Sequence, residues 1–105
     1  MSFQIIWSDF AEKQLDEIFD YYSKNASLIR AQELLISLIN STQRLVDSPY
    51  IGQVEELLKD RSEQYRYLVH KIYKIIYSVD TEQGWIKIAD VFDTRQNPVK
   101  IKRNA

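Results

Sequence analysis

The sequence predicts an α+β fold: an N-terminal strand, then an antiparallel helical hairpin packed on a small, mainly antiparallel sheet. Three observations predict it. The first half holds two long stretches with apolar residues at helical spacing. The second half holds three runs rich in Ile, Val, Tyr, Phe and Trp, with short turns between them. A further short run of that composition precedes the first helix.

That opening run is "FQIIW", Phe3 to Trp7, and it reads as a buried strand. It stops at Ser8-Asp9, where Asp9 precedes Glu12 by three positions in the manner of a capping box. Ala11, Leu15, Ile18 and Tyr22 then share one helical face, with Phe19 beside them. Glu12, Lys13, Asp16, Glu17 and Asp20 take the other, until Lys24-Asn25. Ser27 can cap a second helix. Its apolar positions Ala31, Leu34, Leu35, Leu38, Ile39, Leu45 and Val46 keep the period until Asp47-Ser48-Pro49. So short a link makes the helices antiparallel. After the loop "SPYIGQVEELLKDRSE" come "QYRYLVH", "IYKIIYSV" and "WIKIADVF"; the tight "HK" junction and the turn "DTEQGW" make these runs a meander.

Composition bounds what the chain is. At 105 residues and 45% apolar, with two glycines and two prolines, residues 1–105 read as a single domain poor in loops. No cysteine is present, so disulfides, thiolate nucleophiles and cysteine metal sites are excluded, and a cytoplasmic setting is expected. The first residues show no signal pattern, and no run is long and apolar enough to span a membrane. One histidine cannot make a His-rich metal site, and Gly52 and Gly84 alone cannot write a phosphate loop, so no metal or cofactor is expected.

The net charge of -1 conceals an asymmetry. Residues 1–60 carry five Lys/Arg against ten Asp/Glu, whereas residues 61–105 carry nine against five. A basic face built from the C-terminal half would attract an anionic partner; lysines solvating strand edges give the same count. Alternation within the strands sets Arg66, Leu68 and His70 opposite Tyr65, Tyr67 and Val69, and Lys74, Ile76 and Ser78 opposite Tyr73, Ile75, Tyr77 and Val79. The mixed sets are expected on the face away from the helices, which would place Arg66, His70 and Lys74 together. His70 at a turn reads as a surface residue rather than a catalyst. Glu55-Glu56 offers a general base, although an acidic pair on a loop is also ordinary solvation.

Taken together, "WSDFAEKQLDEIFDYY", "SPYIG", "YRYLVHKIYKIIYSV" and "VFDTRQNP" in this element order resemble the RelE/ParE family of bacterial toxins from type II toxin-antitoxin modules, the plasmid stabilisation family. The resemblance spans essentially the whole chain. It implies a fold similar to small microbial ribonucleases and a cognate antitoxin that neutralises the toxin by binding. By resemblance, Arg66 stands where ParE-like members have an arginine, Lys74 near a basic residue that faces RNA in RelE-like members, and Arg95 at the basic position after the last core strand. Glu55 falls about where some members place a carboxylate base. In an RNA-cleaving member these groups would hold the phosphate and stabilise the charge of the transition state.

The chain departs from the cleaving pattern in two ways. After Phe92 it contains neither tyrosine nor histidine, where RNA-cleaving relatives add one for proton transfer, and its pI near 5.8 contrasts with their strong basicity. Both departures favour a ParE-like toxin, whose implied target is DNA gyrase and whose action is binding. A RelE-like, ribosome-dependent mRNA endonuclease is the alternative, and a non-toxic antitoxin-binding module a further one. In that last reading Arg66 and Arg95 are structural and pair with carboxylates such as Asp90 or Asp93.

Overall fold

The computed structural model describes residues 3–103. The elements are β1 (Gln4–Trp7), α1 (Asp9–Asn25), α2 (Leu28–Ser41), β2 (Gln53–Val54), β3 (Arg66–His70), β4 (Tyr73–Asp80) and β5 (Trp85–Asp93), with 3-10 turns at Gln43–Val46, Glu56–Leu58 and Pro98–Arg103. They form one five-stranded sheet in the order β1-β5-β4-β3-β2. β1 runs parallel to β5 and every other pair is antiparallel.

The α1 cap lies one residue earlier than the sequence suggests. Ser8, not Asp9, is the N-cap, and its Oγ accepts from the Ala11 amide at 3.0 Å, so no Asp9–Glu12 capping box forms. Ser8 is fixed there by the sheet, because its amide donates to the Ile88 carbonyl and its Oγ to that of Ala89. Ser27 caps α2 as expected. α2 then stops at Ser41, and a 3-10 turn carries Leu45 into the core, so the helical period continues through a tighter coil. Ile39, expected to face inward, is exposed.

The main core lies between the helical hairpin and the sheet. Ala11, Leu15, Leu34 and Leu38 meet Leu68, Tyr73, Ile75, Tyr77, Ile86 and Ile88 there. Each large side chain so buried contributes on the order of 2 kcal/mol. A second core occupies the opposite face. Leu58, Ile76, Phe92 and Ile101 pack there with Tyr65 and Tyr67, covered by the 3-10 turns Glu56–Leu58 and Pro98–Arg103. β4 is therefore covered on both sides.

The two faces are not those the sequence suggests. Arg66, Leu68 and His70 are opposite Tyr77, Ile75 and Tyr73, the set of β4 that faces the helices. Paired residues project to the same side, so Arg66 and His70 face the helical side while Lys74, paired with Val69, faces the second core. Alternation gives the phase within a strand; the register between strands decides which phases share a face. A bulge adds a second displacement. Ile76 pairs with Asp90 and Tyr77 with Ile88, leaving Ala89 as an extra residue, so Asp90 and Phe92 turn to the second face and Val91 and Asp93 to the helices.

Candidate functional site

Glu55 and Lys74 come together on the second face. The loop after β2 buries the Glu55 carboxylate to 4% exposure. Its Oε1 accepts from Lys74 Nζ at 3.0 Å and its Oε2 from the Leu57 amide at 3.2 Å, which starts the 3-10 turn. Lys74 Nζ also lies 4.1 Å from the centre of the Tyr67 ring, a cation–π contact, and Tyr67 donates its phenol proton to Gln53. Glu56 is exposed and pairs with Lys59, so the interior carboxylate of the acidic pair is Glu55. A carboxylate paired with an ammonium that also rests on a tyrosine ring could move a proton and hold an anion, but here both carboxylate oxygens are occupied and the phenol is bonded to Gln53.

Arg66 is on the other side and does something else. Its Nη1 donates to the carbonyls of Gly52 at 2.9 Å and Tyr50 at 3.3 Å, and its guanidinium lies over the Tyr50 ring. The buried Tyr77 hydroxyl completes the clamp, donating to the Pro49 carbonyl and accepting from the Gly52 amide. Gly52 is required at that point, since a Cβ would lie 2.6 Å from the Tyr77 hydroxyl and 2.7 Å from the Tyr67 carbonyl. Arg66 therefore binds the loop entering β2.

His70 is half-buried, with Nε2 3.1 Å from Ser37 Oγ on α2. Burial lowers its pKa, and the nearby charges of Lys71 and Arg44 lower it further, so the ring is neutral at pH 7. Lys71 takes a left-handed φ of 56° to close the β3–β4 turn.

Arg95 stands just past β5 on the helical side, 61% exposed. Asp93 grips it through Nε and Nη2, the shortest contact being 2.7 Å, and the arginine holds the Asp93 carboxyl below the usual carboxylate range. Beside it a hollow of about 270 Å³ is walled by Ile18, Tyr21, Tyr22, Tyr73 and Val91. Burial and the hydrogen bond with Tyr22 push the Tyr73 phenol up.

The site residues named from the sequence thus divide into a Glu55–Lys74 pair on one face, Arg66 and His70 at separate points of β3 on the other, and Arg95 beyond β5. Two ion pairs among the described residues had no signal in the sequence. Asp90, buried, receives both Nη atoms of Arg103 at 2.9 and 3.0 Å, with the guanidinium between the Phe10 and Phe92 rings. Lys87 meets Glu63, which also accepts from Ser78 and Tyr65. Asp90 and Arg103 are thirteen residues apart, and the bulge and the last 3-10 turn bring them together. Asp90 was visible only as a possible partner of Arg66 or Arg95. Among the described residues no helix is long and apolar enough to cross a membrane.

The family model described as the ParE toxin of type II toxin-antitoxin systems, parDE, matches residues 5–98. Among solved structures, the chain is similar to one described as the chromosomal ParDE toxin-antitoxin system from P. aeruginosa. Identity is 16% and the TM-score 0.72, over 88% of this chain and 96% of that one. Among curated proteins none matches.

Proposed function

Because the chain belongs to the ParE toxin family of type II toxin-antitoxin systems, we propose that it is a cytoplasmic bacterial toxin that inhibits DNA gyrase by binding it, and that a cognate antitoxin neutralises it. One observation carries the choice of binding over cleavage: the cationic candidates do not converge. Phosphodiester cleavage needs cations and a base around one phosphorus. Lys74 with Glu55 faces the second core, whereas Arg66 and Arg95 lie on the helical side, holding carbonyls and a carboxylate respectively. Of these residues Arg95 is the most open to a macromolecular target, with Arg66, His70 and Lys74 supporting the surfaces around it.

Induction in bacteria tests the proposal. Filamentation with damaged DNA, together with loss of supercoiling by purified gyrase on adding the protein, is the expected result. Arrested translation with mRNA cut in the ribosomal A site would replace it with the endonuclease reading, which the contact of Glu55, Lys74 and Tyr67 favours. In that case Lys74→Ala would abolish cutting. A harmless protein that still binds the product of the adjacent reading frame would leave only the antitoxin-binding module.

A further inference from the structure

The loop that enters β2 is held from within and apolar outside. The Ile51 amide donates to the Ser48 carbonyl at 3.3 Å, closing a turn whose second position is Pro49, where the fixed φ of proline fits. From the sheet, the buried Tyr77 hydroxyl donates to the Pro49 carbonyl at 2.7 Å and accepts from the Gly52 amide at 3.0 Å, and Arg66 donates to the carbonyls of Tyr50 and Gly52. All of these bonds go to main chain. The side chains left outside are large and apolar: Tyr50 is 53% exposed and Ile51 49%. The Arg66 guanidinium, 5.2 Å from the centre of the Tyr50 ring, fixes that ring as well. Among the described residues the other large apolar side chains so exposed, such as Ile29 on α2, lie on helices, a strand or a 3-10 turn. A surface loop of this length is ordinarily mobile, and ordering it on contact costs conformational entropy. Here that ordering happens when the chain folds, before any partner arrives.

We propose that Ser48–Gly52 is a rigid anchor for the target, and that Tyr50 and Ile51 enter an apolar pocket on the protein surface of gyrase. The inference rests on the reading that gyrase is the target and deepens it by naming a contact. Shape selects a folded partner. A tip of two apolar side chains needs a concavity to enter, which a folded surface offers and an extended segment does not. Ile51 has neither a π-face nor a polar group with which to hold a base, so a nucleic-acid strand is the poorer fit. Tyrosine supplies contact area at low entropic cost and is enriched among the few residues that dominate an interface. Arg66 is then a positioning residue that acts through Tyr50, and Gly52 is the residue whose missing Cβ lets the loop lie against Tyr77.

The test is inhibition of gyrase supercoiling by the full chain, titrated for wild type and variants whose folding is checked by circular dichroism. Tyr50→Ala should raise the concentration needed about thirtyfold and Ile51→Ser about tenfold. Ile29→Ser removes a still more exposed apolar side chain from α2 and should change nothing; a loss equal to that of Tyr50→Ala would overturn the proposal. Tyr77→Phe keeps both anchors and frees the loop. The Gly52 amide should then exchange faster with solvent and inhibition should weaken about tenfold. Faster exchange with undiminished inhibition would overturn the role of rigidity, and the exposed positions 50 and 51 carry the test should Tyr77→Phe not fold. A photoreactive benzoylphenylalanine in place of Tyr50, irradiated with gyrase and DNA, should crosslink to a gyrase subunit. Crosslinks only to DNA or to a second copy of the chain would overturn the proposal. The two readings fail separately. If wild type does not inhibit gyrase, the gyrase reading falls; if wild type inhibits and Tyr50→Ala and Ile51→Ser inhibit equally well, only the anchor falls.

Discussion

Two aspartates near the end of β5 each hold an arginine, and the protein uses the two pairs in opposite ways. Asp90 and Arg103 meet inside the second core, with the carboxylate only 3% exposed and the guanidinium between two phenylalanine rings. Asp93 and Arg95 meet on the surface, three residues along the strand, with the guanidinium facing solvent. Burial pushes the Asp90 carboxyl up against the pull of Arg103, while Arg95 pulls that of Asp93 down. The chemistry is the same and the surroundings differ. A pair in the interior fixes a chain segment, here the last 3-10 turn; a pair on the surface leaves the outer edge of its arginine for something else.

The largest test of this contrast is Arg103→Ala. It leaves a buried carboxylate without its partner and frees the turn that carries Ile101 over Ile76 and Phe92. Chemical denaturation should show a loss of about 3–5 kcal/mol. A loss no greater than that of a surface substitution would mean that the two pairs are alike. Replacing both partners sharpens the point. Asp90→Asn with Arg103→Met removes the charge and its counterion together, and the double variant should recover more than half of that loss.

Acid should separate the pairs next, because their linkage has opposite signs. The Asp93 pKa is lowered from 3.8, so its contribution is present above 3.8 and disappears as pH falls through the folded value. The Asp90 pKa is raised from 3.8, so its contribution is full below 3.8 and disappears as pH rises through the folded value. Thermal melts either side of pH 3.8 check this. The difference between wild type and Asp93→Asn should grow with pH, and that between wild type and Asp90→Asn should shrink. Parallel difference curves would refute the contrast.

Only one of the pairs was open to sequence reasoning, and the reason is physical. Asp93 and Arg95 are two residues apart, so local chemistry exposes them. Asp90 and Arg103 meet only because Ala89 bulges and because Pro98–Arg103 coils back as a 3-10 turn, and neither event leaves a periodic trace. The rest of the chain divides in the same way. Ala11, Leu15 and Leu38 fall on the faces their spacing assigns, and the three-strand meander lies where its composition places it. β2 is two residues long and gives no alternation to read, yet it decides where the β3 edge opens. Lys74 was grouped with Arg66 and His70 because alternation within strands is visible, whereas the register that sends them to opposite faces is set by the two-residue turn at Lys71.

The smallest expected effect on stability is that of Arg95→Ala, and it is the variant that links the comparison to function. Arg95 is 61% exposed and meets Asp93 at the surface, where losing an ion pair in water costs little. The melting temperature at neutral pH should fall only slightly, far less than that of Arg103→Ala. If Arg95 contacts the target, growth inhibition should nevertheless fall sharply, and Arg95→Lys should restore only part of it, because an ammonium cannot grip Asp93 and a second acceptor in one plane. A fully toxic Arg95→Ala protein would show that the surface pair is only an end clamp for β5. An unstable one would show that exposure is a poor guide to what an ion pair holds in place, and the contrast with Asp90–Arg103 would disappear.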